Sequence, residues 1–500
     1  MPESMQKLDA DLLKNELGCN AVRTSHYPQS HHFLDRCDEL GLLVFTEIPG
    51  WQHIGDRSWQ SQALDNTREM VLQYRNHPSI FLWGVRINES QDNDALYEKT
   101  NALAHQLDPS RPTSGVRFLK NSSFLENVYA FNDFSYDGTG SGCLKKSQVT
   151  PDMERGYLIS EYGGHMYPTK PFDDEAHRTA HMLRHAQVLN ACYGEDDIAG
   201  CFGWCMFDYN THKDFGSGDR VCYHGVMDMF RNRKLAGWLY AAQQEEYPVL
   251  ELSSNLEIGE HPAGLLGDVY AITNADAVRL YRNDRLIREF SGSLWGNMPH
   301  GPILIDDFIG DTLLEETELT PEAAAAVKSV LLAAGRYGIE HLPEETLSLC
   351  ETLQTGFGIT PEQLQGYYMQ TLTGWGGAAA GYRFEAVKDG AVTAVVTCRP
   401  MEALHLEVSA SHLSLHEGNT YDVAEVRITA RNDWGRLMPY YQEPVQLTAQ
   451  GSIALIGPSV ISLKGGMGGV YVKTTGTAGE GTLSISSGSL PEITLHFQCS

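Results

Sequence analysis

From the start of the chain to about Glu245, short strand-forming runs alternate with helical patterns, and this alternation constrains the fold more than any other feature. Seven runs stand out, at 20–24, 42–47, 80–85, 113–117, 128–132, 157–161 and 199–204. Between them, helical periodicity covers 5–17, 59–74 and 92–107; in the first of these Met5, Leu8, Leu12 and Leu13 share a face. Strands that alternate with helices imply parallel pairing. The pattern predicts a (β/α)8-type TIM barrel. Because the chain opens on a helix and only seven runs are legible, that barrel is expected to lack its first strand.

Two apolar runs lead into a carboxylate followed by a polar or glycine-rich loop: Trp83-Gly84-Val85-Arg86-Ile87-Asn88-Glu89 and Leu158-Ile159-Ser160-Glu161-Tyr162-Gly163-Gly164. In a parallel barrel the C-terminal strand ends face the active site. Two glutamates placed there suit a glycosidase, one protonating the leaving oxygen and the other attacking the anomeric carbon. A single glutamate is more often a solvated surface group. The matching strand-end settings set Glu89 and Glu161 apart.

A chain of 500 residues is too long for one core, so two to four domains are expected. No apolar stretch approaches the ~20 residues of a membrane helix, and the first residues show no signal-peptide pattern. The formal charge of −27 argues against nucleic acid or an anionic membrane as partner, whereas neutral sugars fit. The 10 cysteines include no Cys-x-x-Cys pair, so a reduced, cytoplasmic setting is expected. Cys201 and Cys205 read as small buried residues.

Beyond Glu246 the texture becomes β-rich. Runs at 268–273 and 278–290, with a turn at Asn283-Asp284, suggest an immunoglobulin-like β-sandwich. Thr320-Pro321 and Thr360-Pro361 then announce helices, each with an N-cap threonine and proline at the first helical position. Gln363 completes a capping box for the second. Strand pattern resumes at 382–387, with Asp389-Gly390 as a hairpin turn before 391–398. The reading is a catalytic barrel over 1–247 and a sandwich over 248–404 carrying a helical insertion at about 312–375. A last sandwich spans 405–500, with alternating runs at 424–430, 445–449 and 469–474.

Residues 1–245 resemble the barrel of the family 2 glycoside hydrolases, which holds β-galactosidases, β-glucuronidases and β-mannosidases. The resemblance rests on Asn20-Ala21-Val22-Arg23-Thr24-Ser25-His26-Tyr27-Pro28, Phe33-Leu34-Asp35-Arg36-Cys37-Asp38-Glu39-Leu40-Gly41, Val44-Phe45-Thr46-Glu47 and Asn76-His77-Pro78-Ser79-Ile80, with the Asn88-Glu89 and Ser160-Glu161-Tyr162 strand ends. It implies that Glu89 is the general acid/base and Glu161 the nucleophile. Asn88 would bind the sugar 2-hydroxyl, and Arg23 would hold the nucleophile carboxylate charged and oriented. His26, Tyr162, His165 and Asp208 are further substrate-binding candidates, with Trp204 as the aromatic floor under the sugar ring. The downstream sandwiches resemble the C-terminal modules of bacterial members, through Asp268-Val269-Tyr270, Asn274-Ala275-Asp276, Val278 and Leu280.

The segment Asp214-Phe215-Gly216 followed by Asp219-Arg220-Val221-Cys222-Tyr223-His224-Gly225 is similar to the β-galactosidase form of its loop. Cys222 and His224 replace the Asn-x-Lys pair of β-glucuronidases. Trp51 stands where the best-known β-galactosidases place a metal-binding carboxylate near a counterpart of His53, so no metal and no cofactor are expected. The implied activity is that of a retaining exo-β-glycosidase on terminal β-galactosides. A β-mannosidase or other β-glycosidase of the family is the alternative within that class. The rival from another class is a catalytically inactive carbohydrate-binding or scaffold fragment, since the family's usual N-terminal domains have no counterpart here. The expected partner is a carbohydrate, together with a homo-oligomer or a missing N-terminal portion.

Overall fold

The computed structural model describes residues 1–257, 261, 266–373 and 379–500. Seven strands form one sheet in sequence order: β1 (Ala21–Thr24), β2 (Leu43–Glu47), β3 (Ile80–Gly84), β4 (Thr113–Arg117), β5 (Val128–Asn132), β6 (Gly156–Gly163) and β7 (Cys201–Trp204). Every pairing is parallel. The helices are α1 (Glu3–Asp11), α2 (His31–Leu40), α3 (Arg57–Tyr74), α4 (Asp94–Leu107), α5 (Lys146–Val149), α6 (Glu175–Tyr193) and α7 (Leu235–Ala241). Asp56, Asn93 and Asp174 accept from the first turns of α3, α4 and α6, satisfying donors that a helix start leaves unpaired.

Strand alternation sorts the side chains. Val44, Trp83, Val85 and Ile159 pack outward against the helices, while Phe45, Leu82, Val116, Ala130 and Leu158 fill the inside of the barrel. Burial of each Val, Leu, Ile or Phe among them contributes about 1.5–3 kcal/mol. All seven expected strands are present, and among the described residues β1 and β7 are not hydrogen-bonded to each other. The result is a nearly closed barrel with one open seam.

One predicted helix changes form. The span expected at 5–17 is α-helical to Asp11 and then a π-turn over Leu12–Glu16, closed by Leu17 N–H to the Leu12 carbonyl at 2.9 Å. The wider turn lets the adjacent Leu12 and Leu13 both reach buried positions.

Downstream, the strands Ala277–Arg282 and Tyr382–Lys388 pair with each other although the helices Thr312–Glu316, Pro321–Tyr337, Glu344–Phe357 and Pro361–Tyr368 lie between them in sequence. The helical segment is therefore inserted into a sheet, and its apolar faces join the same core. Residues 374 and 375, the end of the expected insertion, lie outside the described residues. Thr320 and Thr360 cap as their sequences predict, the second in a reciprocal box with Gln363. Two further sheets, of four and five strands, enclose a separate core that includes Val426, Ile428, Val445, Val470 and Ile485. Arg231 ties this last part to the barrel, donating to Asp9 and to Tyr471 Oη. Among the described residues no helix is long and apolar enough to cross a membrane.

Candidate active site

The C-terminal ends of the strands surround a cavity of about 1690 Å3, lined by Arg23, His26, Asn88, Glu89, Glu161 and Trp204 among others. It continues along the open seam past Val22 and Cys201.

Arg23 at the end of β1 organises the floor. Its Nη1 donates to Glu161 Oε1 at 2.5 Å, and its Nη2 donates to Glu47 Oε1 at 2.7 Å and to Asn88 Oδ1 at 3.0 Å. Nε reaches Glu47 Oε2 at 3.1 Å, so Glu47 is held two-handed. Burial alone would lower the Arg23 pKa, but Glu47 and Glu161 together raise it, so the guanidinium stays charged. Burial raises the Glu161 pKa, opposed by Arg23 and His26 and reinforced by Glu89. Glu47 is buried too, yet Arg23 and His26 bring its pKa below the ordinary value.

Asn132 at the end of β5 links the two halves. Its Nδ2 donates to Glu89 Oε1 at 3.0 Å and to Asn88 Oδ1 at 3.4 Å, and its Oδ1 accepts from Ser160 Oγ at 2.9 Å. A continuous network thus runs from Glu161 through Arg23, Asn88 and Asn132 to Glu89. Asn88 Nδ2 is buried and has no hydrogen-bond partner among the described residues. Glu89 itself sits at φ +53°, a left-handed conformation uncommon outside glycine and concentrated at functional sites.

His26 stacks on Trp204, with ring centroids 5.6 Å apart and an interplanar angle of 11°. Gly164 makes room for that indole. Its φ is +58°, and a Cβ there would lie 2.7 Å from Trp204 Cδ1. His165 also lines the cavity, beside Phe134 and His224. Burial, with His165 and Lys234 nearby, lowers the His224 pKa to about 4, so this ring is neutral near pH 7.

Two expected site residues are placed elsewhere. Tyr162 points out of the barrel, its hydroxyl bonded to Tyr240 and its ring against His185 of α6. A register irregularity between Ile159 and Tyr162 causes this, because it turns the adjacent Ser160 and Glu161 both inward. Asp208 lies beneath the rim, where it accepts from Lys234 Nζ at 2.6 Å and from the Gly225 amide at 2.9 Å. Its carboxylate is consumed by that pair. Conversely, Glu47 and Asn132 were not among the expected site residues. Both end predicted strand runs, so the strand-end rule that marked Glu161 covered them as well.

For a metal, the group among the described residues with fitting geometry is Asp35, Asp38 and His77, which lies by α2 and the segment before β3, at the opposite end of the barrel. In the cavity, Trp51 Nε1 donates to Glu89 Oε2 at 2.9 Å, whereas His53 packs edge-on to Trp59 and is not among the lining residues.

Residues 1–235 match the family described as glycosyl hydrolases family 2, TIM barrel domain. The chain carries a family 2 glycosyl hydrolase barrel. Two relatives are β-galactosidases. The one from Thermoanaerobacterium thermosulfurigenes is 53% identical over 61% of this chain and 44% of its own length. The one from Thermoanaerobacter pseudethanolicus is 37% identical over 97% of this chain and 57% of its own length. The chain thus spans about half the length of the curated relatives it matches. The fold of a β-glycosidase from Bacteroides vulgatus superposes with a TM-score of 0.66 at 18% identity, covering 100% of this chain and 62% of that one. In the family 2 barrel described here, the network around Arg23 occupies the C-terminal strand ends, as that architecture places its sites.

Proposed function

We propose that the chain is a retaining exo-β-glycosidase acting on terminal β-galactosides. Glu161 attacks the anomeric carbon while Glu89 gives its proton to the glycosidic oxygen, so the C1–oxygen bond breaks as the glycosyl-enzyme bond forms. Glu89 then takes a proton from water, whose oxygen attacks C1 and releases Glu161. Arg23 keeps the nucleophile oriented. Asn88, held by Arg23 and Asn132, is the residue assigned to the sugar 2-hydroxyl, and Trp204 with His26 forms the ring-binding floor.

The observation that carries this reading is the network joining Glu161, Arg23, Asn88, Asn132 and Glu89. The β-galactosidase relatives support the choice of sugar. The domain division at 247 and 404 belongs to the same proposal.

The open seam between β1 and β7 favours a second reading, an inactive fragment, because unpaired strand edges leave one side of the cavity unsupported. Hydrolysis of a panel of nitrophenyl β-glycosides, with Glu161→Gln alongside, separates the two. Galactoside cleavage lost in the variant supports the enzyme. A folded protein silent across the panel supports the fragment.

A further inference from the structure

Trp51 has a divided environment. Its indole N–H is fixed to the Glu89 carboxylate at 2.9 Å, while the residue as a whole is 53% exposed and lines the cavity. The backbone holds it there, since Trp51 bridges to Asn88 and the next amide, Gln52 N–H, donates to the Asn88 carbonyl at 2.8 Å. Phe118, the first residue after β4, is also half-exposed and lines the same cavity. It belongs beside Glu89, because the Glu89 amide donates to the carbonyl of Val116, two residues earlier. Two large aromatic surfaces therefore flank the acid and face open space. Such apolar area at a cavity mouth, with the polar end of the indole already satisfied, fits a ligand that covers it.

The position says which part of a ligand that is. In a retaining mechanism the acid/base stands on the leaving-group side of the scissile bond. The sugar ring belongs over Trp204 and His26, near Glu161. Resting on the β-galactosidase reading above, we infer that Trp51 and Phe118 form the leaving-group subsite, which takes an aglycone with a flat apolar face, either an aryl group or the apolar face of a second pyranose. The same indole N–H orients the Glu89 carboxylate. Trp51 thus couples aglycone recognition to proton delivery: a ring stacked on the indole sits beside the carboxyl that must protonate its oxygen.

The test compares kcat/KM of the purified chain on p-nitrophenyl β-galactoside, lactose and methyl β-galactoside, for wild type, Trp51→Phe and Trp51→Ala. Trp51→Ala is expected to lose roughly 10-fold more on the two ring-bearing aglycones than on the methyl glycoside. Trp51→Phe is expected to recover most of that selective loss by restoring a stacking face. A selective loss on p-nitrophenyl alone restricts the subsite to aryl aglycones, and one that includes lactose extends it to sugars. Equal losses on all three substrates, with Trp51→Phe no better than Trp51→Ala, overturn the subsite while leaving the β-galactosidase reading intact. A wild type inactive on all three overturns that reading and the subsite with it.

Discussion

Arg23 and Glu47 are joined by two hydrogen bonds, at 2.7 and 3.1 Å, deep in the floor of the cavity. The same guanidinium also holds Glu161, so its one positive charge is shared between two carboxylates. In Glu47→Gln that sharing ends and Arg23 bears on Glu161 alone. Glu161, the proposed nucleophile, then becomes more easily ionised but less reactive. Burial places its pKa above the ordinary glutamate value in the wild type, with Arg23 opposing, and the unshared Arg23 lowers it. The expected outcome is a kcat reduced by about 10–100-fold, little change in KM, and an acidic limb of the kcat/KM profile displaced to lower pH. An unmoved acidic limb would count against Glu47 acting through Arg23.

Glu161→Gln and Glu89→Gln should differ in kind. Under the proposed roles, Glu161→Gln is expected to lose more than about 10⁴-fold in turnover on every galactoside. Loss of the acid should cost about 10²–10⁴-fold on alkyl galactosides and far less on dinitrophenyl galactoside, whose leaving group departs without a proton. Steady-state rates on the two leaving groups provide the check.

Gly164→Ala introduces a methyl where the backbone has φ +58° and the Trp204 ring stands 2.7 Å away. A destabilisation of about 1–3 kcal/mol is expected from the conformation alone. Displacement of the indole should raise KM for galactosides more than it lowers kcat. Thermal melts and Michaelis parameters of the same preparation separate the two effects.

Asp208 and Lys234 form a buried pair in which burial disfavours both charges, raising Asp208 to about 6 and lowering Lys234. Asp208 binds its proton more tightly folded than unfolded. Its contribution to stability is therefore greatest below its ordinary value of 3.8 and is lost as pH rises toward about 6. Asp208→Asn stands in for the protonated carboxyl that burial favours and should cost little near neutral pH, whereas Lys234→Met alone strips the ionised carboxylate of its counter-charge and should cost about 3–5 kcal/mol. The double variant Asp208→Asn/Lys234→Met should regain most of it. Denaturant unfolding at pH 4 and pH 7 tests both signs: the stability of the wild type relative to the double variant should fall between them.

Much of this was legible in the residues. The seven strand runs appear as strands, with bounds shifted by two residues at most, because alternating short apolar runs and helices can bury themselves in few ways. The threonine caps at 320 and 360 were equally plain, since a cap depends on neighbours in the chain. The expected roles of Tyr162 and Asp208 fared differently. Tyr162 adjoins Glu161 and strand alternation turns one of them inward, but which one depends on an irregularity in pairing with the neighbouring strands. Asp208 reads as a rim carboxylate until Lys234, 26 positions later, is folded back onto it.

What the sequence by itself determined is the parallel α/β alternation, the two strand-end glutamates and the capped helices downstream, all of which depend on local periodicity and on residues close in the chain. Only the tertiary structure decided that Arg23 divides its charge between Glu47 and Glu161, that Asn132 bridges to Glu89, that Tyr162 faces outward, and that Trp51 binds Glu89. Each of those depends on strand register and on residues tens of positions apart brought into hydrogen-bonding reach, and local periodicity carries no information about either.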